Sequence, residues 1–175
     1  THYDRVSIGF PGVVVEGVTK SAPNLHPSWS GFTLQRAVSE LTGRPVRVLN
    51  DAGVQGYGVI KGTGTEIVVT LGTGMGFALF VDGTYVPNIE MAHHISHKGK
   101  TYEERVGNGA RKRVGNGRWR RRVAAVIAQL APIFNYRQLY LGGGNTKHLK
   151  PEQLPEGVRL VDNVAGLLGG IKLWR

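Results

Sequence analysis

Short apolar runs punctuated by glycine and proline alternate along this chain with stretches of helical spacing. Val6-Ser-Ile-Gly-Phe10 and Val13-Val-Val15 are β-branched runs on either side of the turn signal Pro11-Gly12, which predicts two strands. Residues 23–30, carrying Pro23, Asn24, Pro27 and Trp29, read as a loop. Leu34, Ala37, Val38 and Leu41 recur at helical spacing until Gly43-Arg44-Pro45 stops them. Val46 to Leu49 reads as a strand running into Asn50-Asp51, followed by a glycine-rich helix to about Lys61. Ile67 to Leu71 and Phe77 to Val81 predict strands around Gly72-Thr-Gly-Met-Gly76, and Asp82-Gly83 predicts a hairpin turn into Thr84-Tyr-Val86.

Beyond residue 100 the pattern changes. Arg105-Val-Gly-Asn-Gly109 is repeated at Arg113-Val-Gly-Asn-Gly117. A glycine inside a helix costs roughly 1 kcal/mol, so these pairs predict breaks or a frayed helix. From Arg118 helical spacing is clear: Trp119, Val123, Val126, Ile127 and Leu130 share a face, with Arg118, Arg121 and Arg122 largely off it. Leu139 to Leu141 predicts a strand leading into Gly142-Gly-Gly-Asn145. A last strand near Val158 to Val161 precedes a closing helix from Val164 to Leu173. Strands alternating with helices imply an α/β chain with a parallel or mixed sheet.

Composition narrows the class. The 175 residues are 41% hydrophobic and 19% charged, a globular balance sufficient for one ordinary domain or two small lobes. No stretch approaches the ~18 consecutive apolar residues of a membrane span, and Thr1-His-Tyr-Asp-Arg5 carries no apolar targeting core, so a cytoplasmic location without membrane contact is expected. With no cysteine, disulfides and thiolate zinc sites are excluded. The net charge is +10, and residues 98–122 hold ten Lys or Arg against Glu103 and Glu104. Such a concentrated field attracts polyanions.

Several groups could carry chemistry. Asp51 sits where a strand ends, the place α/β folds put ligands, and could take a proton from a substrate hydroxyl; on the dipeptide alone, capping of the next helix is the stronger reading. Gly72, Thr73 and Gly74 could turn backbone N–H groups toward an anion or form a tight hairpin, two readings of equal weight. Gly142, Gly143 and Gly144 offer a second close backbone approach. No G-x-x-x-x-G-K-[ST] occurs. Glu90 and His93 are spaced to grip sugar hydroxyls, whereas a metal site from His93, His94 and His97 lacks completing ligands. The run 98–122 reads either as a solvated surface or as a phosphate-binding one. Its aromatics, Tyr102 and Trp119, are too few for base stacking, which disfavours nucleic acid.

Ile8-Gly-Phe-Pro-Gly-Val-Val14, Ala22-Pro-Asn-Leu25, Trp29-Ser-Gly31, Val48-Leu-Asn-Asp-Ala52, Leu71-Gly-Thr-Gly-Met-Gly76 and Pro87-Asn-Ile-Glu-Met-Ala-His93, in that order, resemble the ROK-family sugar kinases. Lys98-Gly-Lys-Thr-Tyr-Glu-Glu-Arg-Val-Gly107, Leu139-Tyr-Leu-Gly-Gly-Gly-Asn145 and Ala165-Gly-Leu-Leu-Gly-Gly-Ile171 look more narrowly like its polyphosphate glucokinase branch. The resemblance implies an actin-like, ribonuclease-H-like two-lobed α/β fold that phosphorylates the 6-hydroxyl of glucose. Polyphosphate or ATP would be the donor, with Mg²⁺ accompanying it, and the protein would be a homodimer. It implies Asp51 as catalytic base and Asn24, Asn50, Glu90, His93 and Glu103 (less surely Glu104) as sugar contacts. Gly72, Thr73, Gly74 and Gly142 to Gly144 would face phosphate or nucleotide. Polyphosphate would then run along Lys98, Lys100, Arg111, Lys112, Arg113, Arg120 and Arg121.

The resemblance also sets expectations about lobes. Residues 1–50 plus 163–175 would form the first lobe and 51–162 the second. The family's opening Asp-x-Gly-Gly-Thr motif is absent, so the first lobe is expected to be incomplete, with an open sheet edge. Ala92 stands where the family has glycine, adding a methyl at a close-packed point. The family's cysteine-rich zinc loop is also absent, as in the polyphosphate branch.

Overall fold

The computed structural model describes residues 2–21, 25–162 and 165–175. Strand β1 (Val6–Phe10) turns at Pro11-Gly12 into β2 (Val13–Val15), which pairs antiparallel with β3 (Val18–Ser21), a strand the sequence pattern did not announce. After a 3-10 turn at Pro27–Trp29, helix α1 (Leu34–Thr42) returns the chain to β4 (Val46–Asn50), which lies parallel to β1. Phe10, Val14, Leu34, Val46 and Val48 close one core between these elements, with Val38 packed against it. Leu41, assigned by spacing to the same apolar face, is instead 84% exposed, because the core beneath α1 stops short of its last turn.

Helix α2 (Asp51–Val59) follows β4 directly and leads to the main sheet, made first by β5 (Thr65–Leu71), β6 (Met75–Val81) and β7 (Thr84–Val86). A 3-10 turn at Met91–His93 and the short hairpin of β8 (Ile95–His97) and β9 (Lys100–Thr101) precede α3 (Tyr102–Val106) and α4 (Asn108–Phe134). Strands β10 (Gln138–Gly142) and β11 (Val158–Leu160) and helix α5 (Ala165–Lys172) complete the chain. Of the expected closing helix, Val164 lies outside the described residues. The five strands run in the order β11-β10-β5-β6-β7, with β10 parallel to β5 and β11 and the β5-β6-β7 part antiparallel. The sheet is therefore mixed.

The near-continuous apolar runs of β5, β6 and β10 follow from a sheet covered on both faces. Ile67, Val69, Leu71, Met75, Phe77, Leu139 and Leu141 point to one face, where α3 and α4 supply Tyr102, Val106, Trp119, Val123, Val126, Ile127 and Leu130. Val68, Ala78, Phe80 and Tyr140 point to the other, against Ala52 and Tyr57 of α2. Trp119 is fully buried and donates its indole N–H to the Val106 carbonyl at 2.7 Å, the partner a buried indole requires. Buried Glu66 accepts from the N–H groups of Lys61, Gly62 and Thr63 (2.9, 2.7 and 3.2 Å) and from the Tyr140 hydroxyl (2.8 Å), fixing the α2–β5 turn.

The repeated Arg-Val-Gly-Asn-Gly does break the helix, twice and at the same place in each copy. Gly107 is extended (φ −63°, ψ 165°) and separates α3 from α4. Gly115 adopts φ 76° and ψ 160°, conformational space open to glycine, and kinks α4. Arg118 and Arg121 lie on the exposed side, but Arg122 does not: its Nη1 is buried. On the other side of the molecule α5 packs tightly on α2, where a Cβ on Gly169 would lie 1.7 Å from the Val54 carbonyl oxygen.

Candidate active site

Strand β4 carries Asn50 and Asp51 to its carboxyl end, beside the β1–β2 turn and the loop between β5 and β6. Asn50 is the N-cap of α2: its Oδ1 accepts from the Ala52 N–H (2.9 Å), while its Nδ2 donates to the Gly12 carbonyl (3.2 Å). The capping weighed for Asp51 thus falls to its neighbour. Asp51 Oδ1 also accepts from the Ala52 N–H, at 2.8 Å. Burial raises the Asp51 pKa, against the pull of the Ala52 and Asp51 N–H groups.

Opposite Asp51, the Gly72–Gly76 segment is the hairpin connection between β5 and β6 and lines the cleft. It is held by its carbonyls. The Gly72 N–H donates to the Gly74 carbonyl (3.1 Å), and the Asn108 N–H, at the start of α4, donates to the carbonyls of Gly72 and Thr73 (3.0 and 3.1 Å). Buried Asn145 donates through Nδ2 to the Gly72 carbonyl (2.8 Å) and through its backbone N–H to Leu71 (2.9 Å). The Thr73 side chain is exposed. Glu103 of α3 closes the far side, with Oε2 accepting from the Met75 N–H at 3.3 Å. Glu104 faces away and forms the capping box of α3 with Thr101.

Glu90 and His93 complete the rim, Glu90 Oε2 standing 3.7 Å from His93 Nε2. Burial is the main reason the Glu90 pKa is raised; His93 opposes the shift, while Asp51 and Glu103 add to it. Nearby Tyr85 is pushed up to about 12, by burial first and then, against a lowering backbone hydrogen bond from Asn88, by the same carboxylates, Glu90 and Asp51. Ala92 is buried, its methyl part of the core with Met75, Phe77 and Tyr102, so the extra carbon is accommodated.

These residues line one cleft of about 450 Å³: Asn50, Asp51, Gly72, Thr73, Gly74, Glu90, His93 and Glu103, together with Gly12, Thr70 and Met75. Asp51 also borders a larger, more open trough of about 950 Å³ along β1 and α5, lined mainly by apolar and small residues. The polar side chains that could handle a substrate converge on the smaller cleft.

Other expected residues do not. Asn24 lies outside the described residues. Gly142, Gly143 and Gly144 do not line the cleft. Gly143 is glycine for a packing reason, with φ 89° and a would-be Cβ 2.5 Å from the Leu71 carbonyl oxygen. Lys98 lies in the β8–β9 turn and Lys100 opens β9, whereas Arg111, Lys112, Arg113, Arg120 and Arg121 lie on α4. Arg111 binds Asn108 Oδ1 through Nε and Nη2 (3.2 and 2.9 Å), beside the loop that Asn108 grips. Arg120 donates to the His148 carbonyl at 3.2 Å. The His148 pKa is lowered, by desolvation first and then by Arg111, Lys147 and Arg120, so these cations form one cluster next to the Gly142–Asn145 loop. Lys147 was missed in the sequence because it stands alone between apolar and glycine segments. Thr70 was missed because nothing local marks it, and Asn145, although it ends the Gly142–Asn145 motif, was given no role because its partner Gly72 is distant in sequence. Among the described residues no three His, Cys, Asp or Glu side chains gather as a metal-ligand set, and no helix is long and apolar enough to cross a membrane.

Comparison with known proteins adds independent findings. Residues 1–108 match the ROK family. The chain is 29% identical to polyphosphate glucokinase of Mycobacterium tuberculosis over 180 aligned residues, covering 94% of this chain and 67% of that one. Among solved structures, the inorganic polyphosphate/ATP-glucomannokinase from Arthrobacter sp. strain KM superposes with a TM-score of 0.83 at 29% identity, over 98% of this chain and 74% of that one. A ROK family glucokinase from Streptomyces griseus, solved in complex with glucose and AMPPNP, shares the fold at a TM-score of 0.78 and 20% identity, over 98% and 81% of the two chains.

Proposed function

This chain belongs to the ROK family, and from that premise we propose that it is a glucokinase moving a terminal phosphoryl group from inorganic polyphosphate or ATP to the 6-hydroxyl of glucose. The observation that carries the proposal is Asp51: a partly buried carboxylate at the end of β4, in a cleft whose opposite wall is the Gly72–Gly76 loop. The named relatives, a polyphosphate glucokinase and a polyphosphate/ATP-glucomannokinase, support the same substrates.

In this reading Glu90, His93 and Glu103 hold the sugar hydroxyls, and the remaining Asn50 N–H adds a donor. Asn24 belongs to the same proposed set. The 6-hydroxyl oxygen attacks the terminal phosphorus, the bond from that phosphorus to the donor's bridging oxygen breaks, and the hydroxyl proton passes to Asp51. The shortened donor leaves. Gly72, Thr73 and Gly74 are proposed to face the transferring phosphoryl group, with Gly142, Gly143 and Gly144 on the nucleotide side. Mg²⁺ bound with the donor would neutralise charge on the phosphate oxygens, which together with water would supply its ligands and leave Asp51 free to take the proton.

The polyphosphate track is proposed over Arg111, Arg120 and Lys147 first, where the cation cluster adjoins the glycine loops, with Lys112, Arg113, Arg121, Lys98 and Lys100 extending it. We also take residues 1–50 with 163–175 as one lobe and 51–162 as the other, and the working form as a cytoplasmic homodimer, which light scattering would test.

The deciding experiment is glucose 6-phosphate formation by this chain with Mg²⁺ and glucose, polyphosphate against ATP, in wild type and Asp51→Asn. The expected outcome is turnover with polyphosphate that Asp51→Asn lowers by roughly 10²–10⁴ while glucose still protects the variant from thermal unfolding. Equal turnover in wild type and variant would overturn the assignment of the base.

A further inference from the structure

Strand β5 lies at the centre of the main sheet, with β10 on one side and β6 on the other. Its residues alternate between the two faces. Thr70 therefore shares the face of Val68, which packs with Ala52 of α2, while Val69 and Leu71 turn toward α3 and α4. Threonine is an ordinary strand residue, and what sets Thr70 apart is its surroundings. The residue opposite it on β6 is Gly76 and the residue opposite it on β10 is Gly142, so neither neighbouring strand lays a side chain beside it. A Cβ on Gly76 would collide with Thr70 Oγ1 and stand 3.1 Å from the Ala52 Cβ. On the other side, Thr70 Cγ2 lies 4.0 Å from the position of a Gly142 Cβ. The hydroxyl is thus turned toward Gly76 and the methyl toward Gly142. Thr70 is half-buried and lines the same cleft as Asp51.

Three pieces of the site meet at Thr70: the first turn of α2, which carries Asp51, the Gly72–Gly76 loop that continues its own strand, and the start of the Gly142–Asn145 loop. Glu103 comes from α3, on the opposite face of the sheet, so it and Thr70 reach the cleft from different sides. A hydroxyl carries one donor and no charge. Beside the base, and between the two loops proposed to face phosphate, such a donor is matched to the equatorial oxygens of a phosphoryl group in transfer, over which the charge of the transition state is spread. We propose that Thr70 is a catalytic residue, its hydroxyl donating a hydrogen bond to the phosphoryl group as that group passes to the sugar. This inference rests on the proposed transfer from polyphosphate or ATP to glucose. No proton leaves Thr70, and Asp51 alone takes the proton of the sugar hydroxyl. A donor fixed on a central strand is already oriented before charge moves, so it contributes to the chemical step rather than to glucose binding.

The test measures glucose 6-phosphate formation by the whole chain with Mg²⁺, glucose and either donor, in wild type, Thr70→Val, Thr70→Ser and Asp51→Asn, with melting temperatures alongside. Valine keeps the shape and removes the hydroxyl, whereas serine keeps the hydroxyl and removes the methyl. Thr70→Val should lower kcat at least tenfold, toward the roughly 10²–10³ that one preorganised donor supplies, with the KM for glucose and the melting temperature little changed. Thr70→Ser should recover most of the lost kcat. A merely structural role would reverse the order, because serine leaves a gap where the methyl packed and would be the poorer substitute in both assays. Wild-type kcat in Thr70→Val, or equal losses in the valine and serine variants, would overturn the proposal; with Asp51→Asn still impaired, the reading of the cleft would stand without it. A raised KM for glucose at unchanged kcat would also overturn it, by making Thr70 a sugar contact. No turnover by wild type with either donor would overturn the reaction and this role together. If Thr70→Val fails to fold, Thr70→Ala against Thr70→Ser carries the same comparison.

Discussion

Glu103 occupies the space that a side chain on Gly74 would need: its Oε2 stands 1.9 Å from the position of a Gly74 Cβ. The loop that faces Asp51 and the helix that closes the cleft are thereby fitted to each other, and the Met75 N–H bond to the same oxygen keeps them so. The clashing atom is the end of a flexible side chain, so Gly74→Ala should fold but swing Glu103 out of the cleft. Activity should fall at least tenfold with little change in melting temperature. Gly144→Ala, where nothing lies within 4 Å, should leave the melting temperature unchanged.

The pH profile follows from Asp51. A base works deprotonated, and burial raises its pKa above the ordinary aspartate value of about 3.9. Thus kcat/KM should decline on the acid side with an apparent pKa above that figure. The charges of Asp51 and Glu103 help raise Glu90, so the acid limb reports coupled carboxylates rather than Asp51 alone. Glu90→Gln removes a like charge and should move the limb to lower pH. A limb at or below the ordinary value in wild type would contradict the burial argument.

Glu66 makes a prediction about stability instead. Burial alone would raise its pKa, but the N–H groups of Lys61, Gly62 and Thr63 and the Tyr140 hydroxyl outweigh burial and leave it lowered. A pKa lower in the folded than in the unfolded chain contributes stability above the unfolded value, about 4.3, and loses it as pH falls through the folded value. The stability of Glu66→Gln should therefore fall less steeply with pH below about 4.3 than that of wild type. Tyr140→Phe removes one donor from a buried carboxylate and should cost about 1–3 kcal/mol at neutral pH, measured by urea unfolding.

The cations beside the glycine loops should reveal themselves through salt. If Arg111 and Arg120 hold the donor, polyphosphate-dependent turnover should fall more steeply with added salt than ATP-dependent turnover, because a longer polyanion engages more charges. The double substitution Arg111→Ala, Arg120→Ala should reduce that difference and raise the KM for polyphosphate more than for ATP. Identical salt slopes for the two donors would remove these arginines from the track.

What could be read from the chain alone was what depends on neighbours in sequence. The strands of the main sheet were visible as β-branched runs, the breaks at Gly107 and Gly115 as repeated glycines in a helical pattern, and Asp51 with Gly72–Gly76 as strand-end and turn chemistry. Each is a matter of local backbone preference. What needed the tertiary structure was which surfaces meet. Spacing assigned Leu41 to a core that does not reach it and set Arg122 largely off the buried face, although its Nη1 is buried. Glu66 and Tyr140 are 74 residues apart yet share one buried hydrogen bond. Gly143 is required by a Leu71 backbone that only the sheet brings near. Periodicity shows which positions can be buried; the desolvation of a charge, the partner of a hydrogen bond and the room for a side chain are set by elements distant in sequence that come together only in the folded chain.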